Sequence, residues 1–293
     1  MNARHALLCL PLLAALGQPA HALNILLCND DGFTAANLRA LQSKLKTAGH
    51  NVIASSPVDN QSGKGGSMDF LKPVPAVNSA ERAVAKGTLT DGATGVGTDP
   101  SDSSINYVNG TPTMACLYGL DVAAPKAFGK LPDLVISGPN EGNNLGHINM
   151  SSGTVNNAFY AINRGLPAIA VSDNATSQTE WSAVSGNPAH RAFEVADIVV
   201  KLVSTLEVNK AKAGGKLLPD NTGLNVNVPS FAAGAGKNLP FVLTRMGTAT
   251  DYSSAFYEDL SKNPIAQYSY GAGIGAITGK PGIGLAAGGL LRQ

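Results

Sequence analysis

The sequence predicts an α/β fold with a doubly wound, mostly parallel sheet and a C-terminal appendage. Short apolar runs, each ending in a turn of glycine, asparagine, aspartate or proline, alternate with longer stretches of helical spacing from Leu23 to Pro229. The first strand–helix–strand unit also fits within about 35 residues, the length of a parallel βαβ unit.

The elements follow in order. Leu23 to Cys28 is an apolar run of strand length, and the turn Asn29-Asp30-Asp31-Gly32 follows it. Ala35 to Ala48 has helical spacing, with Leu38, Leu41 and Leu45 on one face, Thr34 as N-cap and Gly49 as the stop. Val52-Ile53-Ala54 is a second strand ended by Pro57, and Asn78 to Ser104 is polar and glycine-rich, a region of hairpins or loop. Pro112 to Leu120 is helical, Asp133 to Ser137 a buried strand, Thr154 to Arg164 a helix and Ala168 to Ser172 a strand. Pro188 to Leu206 is a helix with Ala192, Val195, Val199, Leu202 and Leu206 on one face, and Leu224 to Val228 is a further strand. After Pro229 the texture changes. Phe241 to Thr244 has strand character, the tail from Gly271 is rich in glycine and alanine, and residues 230–293 form the expected appendage to a core spanning 23–229.

Composition bounds the function. With 44% hydrophobic and 14% charged residues, the 293-residue chain is of globular type. Residues 1–22 have the layout of a secretory leader: Arg4 in a short n-region, an apolar run from Ala6 to Leu16, and Ala20-His21-Ala22 as an A-x-A cleavage site. The expectation is an exported protein, periplasmic or secreted, with no membrane segment after cleavage. Removing the leader takes away Arg4 and no acidic residue, which turns a formal charge of +1 into zero. With no basic run, a nucleic-acid polymer is excluded as main partner. Cys28 and Cys116 remain of three cysteines. They can pair in an exported chain, but each lies in an apolar stretch, and the reading favours buried thiols.

Ligands of a doubly wound sheet sit outside the carboxyl ends of its strands, and four polar segments belong there. In Asn29-Asp30-Asp31-Gly32, two adjacent carboxylates repel unless a cation offsets them, and a turn lets both converge on one hard ion. The alternative is an acidic start to the next helix. Asp59-Asn60-Gln61-Ser62-Gly63 offers Ser62 as a metal or phosphate ligand, or is a plain polar turn. Ser137-Gly138-Pro139-Asn140-Glu141-Gly142-Asn143-Asn144 offers amide oxygens and glycine-exposed backbone amides. Ser151-Ser152-Gly153-Thr154 opens a helix, where free amides and hydroxyls suit phosphate, or where a serine simply caps. The agreement of the four favours function.

Taken in order, Ile25 to Gly32, Gln61-Ser62-Gly63, Gly110-Thr111-Pro112-Thr113, Val135 to Gly146, Ser152-Gly153-Thr154-Val155 and Leu224 to Pro229 resemble the motifs of the SurE family of survival-protein 5'-nucleotidases. The resemblance implies a Rossmann-like core and a phosphatase that needs one divalent cation, magnesium or manganese, and acts on small phosphate monoesters such as nucleoside monophosphates. It places metal ligands at Asp30, Asp31, Ser62 and Asn140, with Asp30 and Asp31 also as catalytic residues, and phosphate contacts at Asn144, Ser152, Gly153 and Thr154; Asn29 lies beside the site. The sequence departs from the family at Cys28, where a small polar residue is usual, at Met114, where an acidic residue is common, and at Pro139, where an aliphatic residue is usual. The tail does not match the family's usual ending, a projecting hairpin with a dimer contact, so the homo-oligomer that the resemblance implies stays open. The rival from another class is an exported binding protein that captures an anionic solute without turnover.

Overall fold

The computed structural model describes residues 22–78, 88–175, 178–250 and 252–287. The expected leader, up to residue 21, lies outside the described residues, as does part of the polar stretch after Asn78. The elements are β1 Asn24–Cys28, α1 Ala36–Thr47, β2 Asn51–Pro57, β3 Val96–Asp99, β4 Asp102–Val108, α2 Pro112–Tyr118, α3 Ala124–Phe128, β5 Leu134–Glu141, α4 Gly153–Asn163, β6 Ala168–Asp173, α5 Trp181–Val184, α6 Arg191–Asn209, β7 Gly223–Val228, β8 Tyr252–Tyr257, α7 Pro264–Tyr270 and β9 Gly282–Ala287.

Seven strands form one sheet in the order β3-β4-β2-β1-β5-β6-β7, every neighbouring pair parallel except β3 with β4. The chain winds outward from β1 through β2 and β4, then returns to β5 on the other side of β1 and winds out again through β6 and β7. The winding reverses between β1 and β5, and their carboxyl ends open the crevice where such sheets bind ligands.

Alternation along each strand feeds two cores. Ile25 and Leu27 of β1 pack with Leu38, Leu41 and Leu45 of α1 and Val199 of α6 on one face. Leu26 and Cys28 pack with Cys116 and Leu120 beside α2 and with Ala158 and Ala161 of α4 on the other. Burying such side chains contributes about 1.5–3 kcal/mol each. The second cluster is rich in alanine, which lets α4 lie close to the sheet and brings its N-terminus up to the β1 loop. In the C-terminal stretch, β8 and β9 make a separate antiparallel pair flanking α7.

Several expectations need correction. Thr34 does not cap α1; Ala35 holds that position and bridges to Glu180. The second strand is longer than Val52-Ile53-Ala54, and the polar stretch after Asn78 ends in β3 and the start of β4, whose apolar second half, Ile105 to Val108, joins the main sheet beside β2. The long helix starts at Arg191, not Pro188, because His190 caps it through Nδ1, 3.2 Å from the Ala192 amide. Phe241 to Thr244 is not a strand; Phe241, Val242 and Leu243 are exposed there.

Cys28 and Cys116 are not free thiols: they form a disulfide with a Cα–Cα distance of 5.3 Å. Cys28 ends β1 on the face that α2 crosses, and both cysteines are fully buried, so two apolar positions become one covalent tie. Closing a loop across 88 positions stabilises the chain by about 4–5 kcal/mol in the chain-entropy account. We expect reduction, or the Cys28→Ser/Cys116→Ser double variant, to lower the free energy of unfolding in urea by an amount of that order. An unchanged unfolding midpoint would show that the tie contributes nothing.

Candidate active site

Asp30 and Asp31 follow β1 directly, at the reversal of the sheet. They are 3% and 1% exposed. Asp30 turns toward α4. Its Oδ1 accepts a hydrogen bond from the Thr154 hydroxyl at 2.6 Å, and the amides of Gly153 and Thr154 also stabilise its charge. That approach needs glycine at 153: a Cβ there would lie 2.7 Å from the Asp30 Cβ and 2.8 Å from Pro112. Asp31 is held from the other side. Its Oδ2 accepts the Glu141 amide at 2.9 Å and its Oδ1 accepts from Asn60 Nδ2 at 3.2 Å. The Gln178 side chain donates to its carbonyl.

The electrostatics are unfavourable as they stand. Burial raises Asp30 above the usual carboxylate range, opposed by Thr154 and the α4 amides. Asp31 is raised well above it, by burial first and then by the charges of Asp30 and Glu141. Glu141 is itself pushed up to about 8, chiefly by burial, against a bond from the Thr179 amide. Among the described residues no lysine or arginine pairs with Asp30 or Asp31.

A cation fits this arrangement. Asn140, at the end of β5, is 7% exposed; its Nδ2 donates to the Gly142 carbonyl at 2.7 Å, and its Oδ1 is buried without a partner. The orphaned amide oxygen and the two carboxylates form an all-oxygen donor set suited to magnesium or manganese. Among the described residues no group of three or more His, Cys, Asp or Glu is placed to hold a metal, so a cation here would need neutral oxygens beside the two carboxylates. Asn140 is re-aimed by an irregularity in β5. Three steps from Ser137 to Asn140 face two steps from Ala170 to Ser172, at a cis Gly138–Pro139 bond. Gly138 has φ +106°, and a Cβ there would clash with the Val171 carbonyl.

Ser62, the fourth expected ligand, is exposed at the rim. Its loop is tied to the pair, because the Gln61 amide donates to the Asp30 carbonyl at 2.8 Å. The four expected phosphate residues divide by role. Ser152 caps α4, its Oγ 3.0 Å from the Val155 amide, as the plainer reading of that segment has it. The hydroxyl proton of Thr154 goes to Asp30, and Gly153 supplies the close approach. Asn144 is buried, with its Nδ2 donating to Ser172 Oγ at 2.8 Å. Asp30, Asp31, Asn140, Gly153 and Thr154 therefore converge, while Ser62 and Asn144 flank them. The sequence reading assigned no role to Asn60, Gln178 or Ser172. Asn60 lies two residues before Ser62 and was within reach; Gln178 comes from a distant loop that no local pattern marks.

Most of the chain is similar to known proteins. The family model described as "Survival protein SurE" matches residues 25–252, running beyond Pro229 to Tyr252. The chain is 37% identical over 208 residues to a protein of Yarrowia lipolytica named acid phosphatase, covering 70% of this chain and 56% of that one. It is 34% identical over 209 residues to the 5'-nucleotidase SurE of Gloeobacter violaceus, covering 71% and 65%. It is 32% identical over 224 residues to that of Methanocella arvoryzae, covering 76% and 71%. The match thus spans less than two thirds of the first two relatives. The crystal structure of the SurE protein from Aquifex aeolicus superimposes with a TM-score of 0.58 at 26% identity, covering 90% of this chain and 82% of that one. With the family model covering most of the chain and the relatives above 30% identity, this protein belongs to the SurE family.

Proposed function

We propose that the protein is a divalent-metal-dependent phosphomonoesterase that hydrolyses nucleoside 5'-monophosphates to nucleoside and phosphate. The observation that carries the reading is the buried, uncompensated pair Asp30–Asp31 beside the orphaned Asn140 oxygen. The names of the relatives favour turnover over capture without turnover.

Asp30, Asp31 and Asn140 would hold the cation, with Ser62 from the rim. When bound, a divalent cation offsets the paired carboxylates, polarises a phosphoryl oxygen and makes a water molecule more acidic. The chain's own groups do the rest. Thr154 and the α4 amides hold Asp30 in place and oppose the rise that burial causes. Asn60 and the Glu141 amide hold Asp31, so both carboxyl groups keep their positions while charge moves during the reaction. Either carboxylate, once relieved of its neighbour's charge, is a base for the proton of the attacking water. Asn144 and the Ser152 hydroxyl would serve the phosphoryl oxygens. Export is the proposed setting. A fully buried disulfide beside the site supports an oxidising compartment, in line with the leader-like residues 1–22.

The test is phosphate release from a panel of nucleoside monophosphates and p-nitrophenyl phosphate, with manganese, with magnesium and with chelator. Release that requires metal is expected, and a folded protein that releases none in any condition overturns the reading. Asp31→Asn should lower kcat by about a hundred- to a thousandfold, the scale of losing one group from a preorganised electrostatic site, while the variant stays folded, since it removes a like charge from a buried pair. Near-wild-type kcat in that variant would remove Asp31 from the chemistry.

A further inference from the structure

Ser172, next to last in β6, is fully buried and lies directly opposite Asn140 in the β5–β6 register. Its neighbour Ala170 packs with Ala158 and Ala161 of α4, so by alternation the Ser172 side chain faces the same side of the sheet as α4 and the Asp30 carboxylate. Its Oγ is 2.8 Å from Asn144 Nδ2. The Asn144 backbone is fixed separately. Its amide donates to Asn227 Oδ1 at 2.9 Å, and its carbonyl accepts from Asn227 Nδ2 at 3.2 Å and Asn225 Nδ2 at 3.1 Å. With the backbone clamped by two β7 asparagines, the freedom left to Asn144 is rotation of its side chain, and Ser172 is the group that meets it.

The chemistry at this contact is two-sided. The two ends of an amide have nearly the same shape, and a hydroxyl both donates and accepts. Phosphate oxygens only accept, so an Asn144 that serves a phosphate must offer its NH2. We propose that Ser172 is a positioning residue for phosphate. It accepts from the Asn144 NH2 as seen here, and donates its hydroxyl proton to Asn144 Oδ1 when the amide turns its NH2 toward a phosphoryl oxygen. No bond is made or broken, and one hydrogen bond is exchanged for another. Because Ser172 is also the cross-strand partner of Asn140, one β6 residue keeps the phosphate contact at a fixed distance from the cation ligand. The inference rests on the phosphatase reading above.

The experiment is a double-mutant cycle on the mature protein with manganese, using p-nitrophenyl phosphate for KM and kcat and inorganic phosphate for Ki. Ser172→Ala should raise KM and Ki about tenfold, the scale of one buried hydrogen bond, with kcat within about threefold. Ser172→Cys, which keeps the volume and weakens the donor, should move both constants in the same direction. In an Asn144→Ala background, Ser172→Ala should add no further change. If wild-type protein is active and Ser172→Ala leaves KM and Ki unaltered, or raises them equally in the Asn144→Ala background, this inference falls and the phosphatase reading stands. If wild-type protein neither hydrolyses the ester nor binds phosphate, that reading falls and takes the inference with it.

Discussion

Two adjacent carboxylates buried at the reversal of a parallel sheet are the constraint on which the rest of this structure depends. Two like charges of nearly zero exposure cost several kcal/mol each unless something offsets them. The surroundings stabilise each carboxylate singly, through Thr154 and the α4 amides for Asp30, and through Asn60 and the Glu141 amide for Asp31. None of these groups carries a positive charge. Asn140, next to the Glu141 whose amide meets Asp31, adds a buried acceptor without a partner.

The scaffold around that pair is specified at close range. An alanine-lined face lets α4 approach, Gly153 lets its first turn touch Asp30, and the disulfide from Cys28 ties the end of β1 to α2, whose Pro112 also meets Gly153. On the other side, the irregular, glycine-dependent end of β5 turns Asn140 toward the same point, and Arg39 on α1 pairs with buried Asp99 while its Nε holds the Phe33 carbonyl at 3.0 Å, just beyond Gly32. The Gly153–Asp30 approach, the disulfide and the Arg39–Asp99 pair each join segments distant in sequence, so the site is a property of the assembled fold.

That is also why the sequence disclosed some features and not others. The cores of β1, β5 and β6 are short apolar runs, β7 alternates apolar residues with asparagine and stops at Pro229, and α1 and α6 carry long apolar stripes, so the parallel sheet was legible from periodicity. The site loops were legible because strand ends in such a sheet have one common location. Strand β4 was obscured because its first half, Asp102-Ser103-Ser104, is polar and reads with the loop before it. The stretch Phe241 to Thr244 has strand-like residues but no neighbouring strand, and tertiary context decides strand formation. The disulfide was hidden because an apolar setting suits a buried thiol and a buried disulfide equally, and only the crossing of α2 over β1 brings the two sulfurs together. Ser172 was read as the last residue of a strand; its contact with Asn144 exists only once β6 lies beside β5.

The most direct test of the proposed cation site is the melting temperature of the wild-type protein at pH 6 and pH 8, with chelator and with manganese. Carboxyl groups raised in the folded state, as Asp30, Asp31 and Glu141 are, hold protons that the unfolded chain has released. The stability they contribute is greatest below the unfolded pKa and is lost as pH rises through the folded value. With chelator, melting should therefore fall from pH 6 to pH 8. Manganese should raise it, adding about 2.7 kcal/mol of stability at a hundredfold excess over Kd, and more at pH 8, where fewer protons compete for the ligands. Melting at pH 8 that is the same with manganese as with chelator would contradict the account.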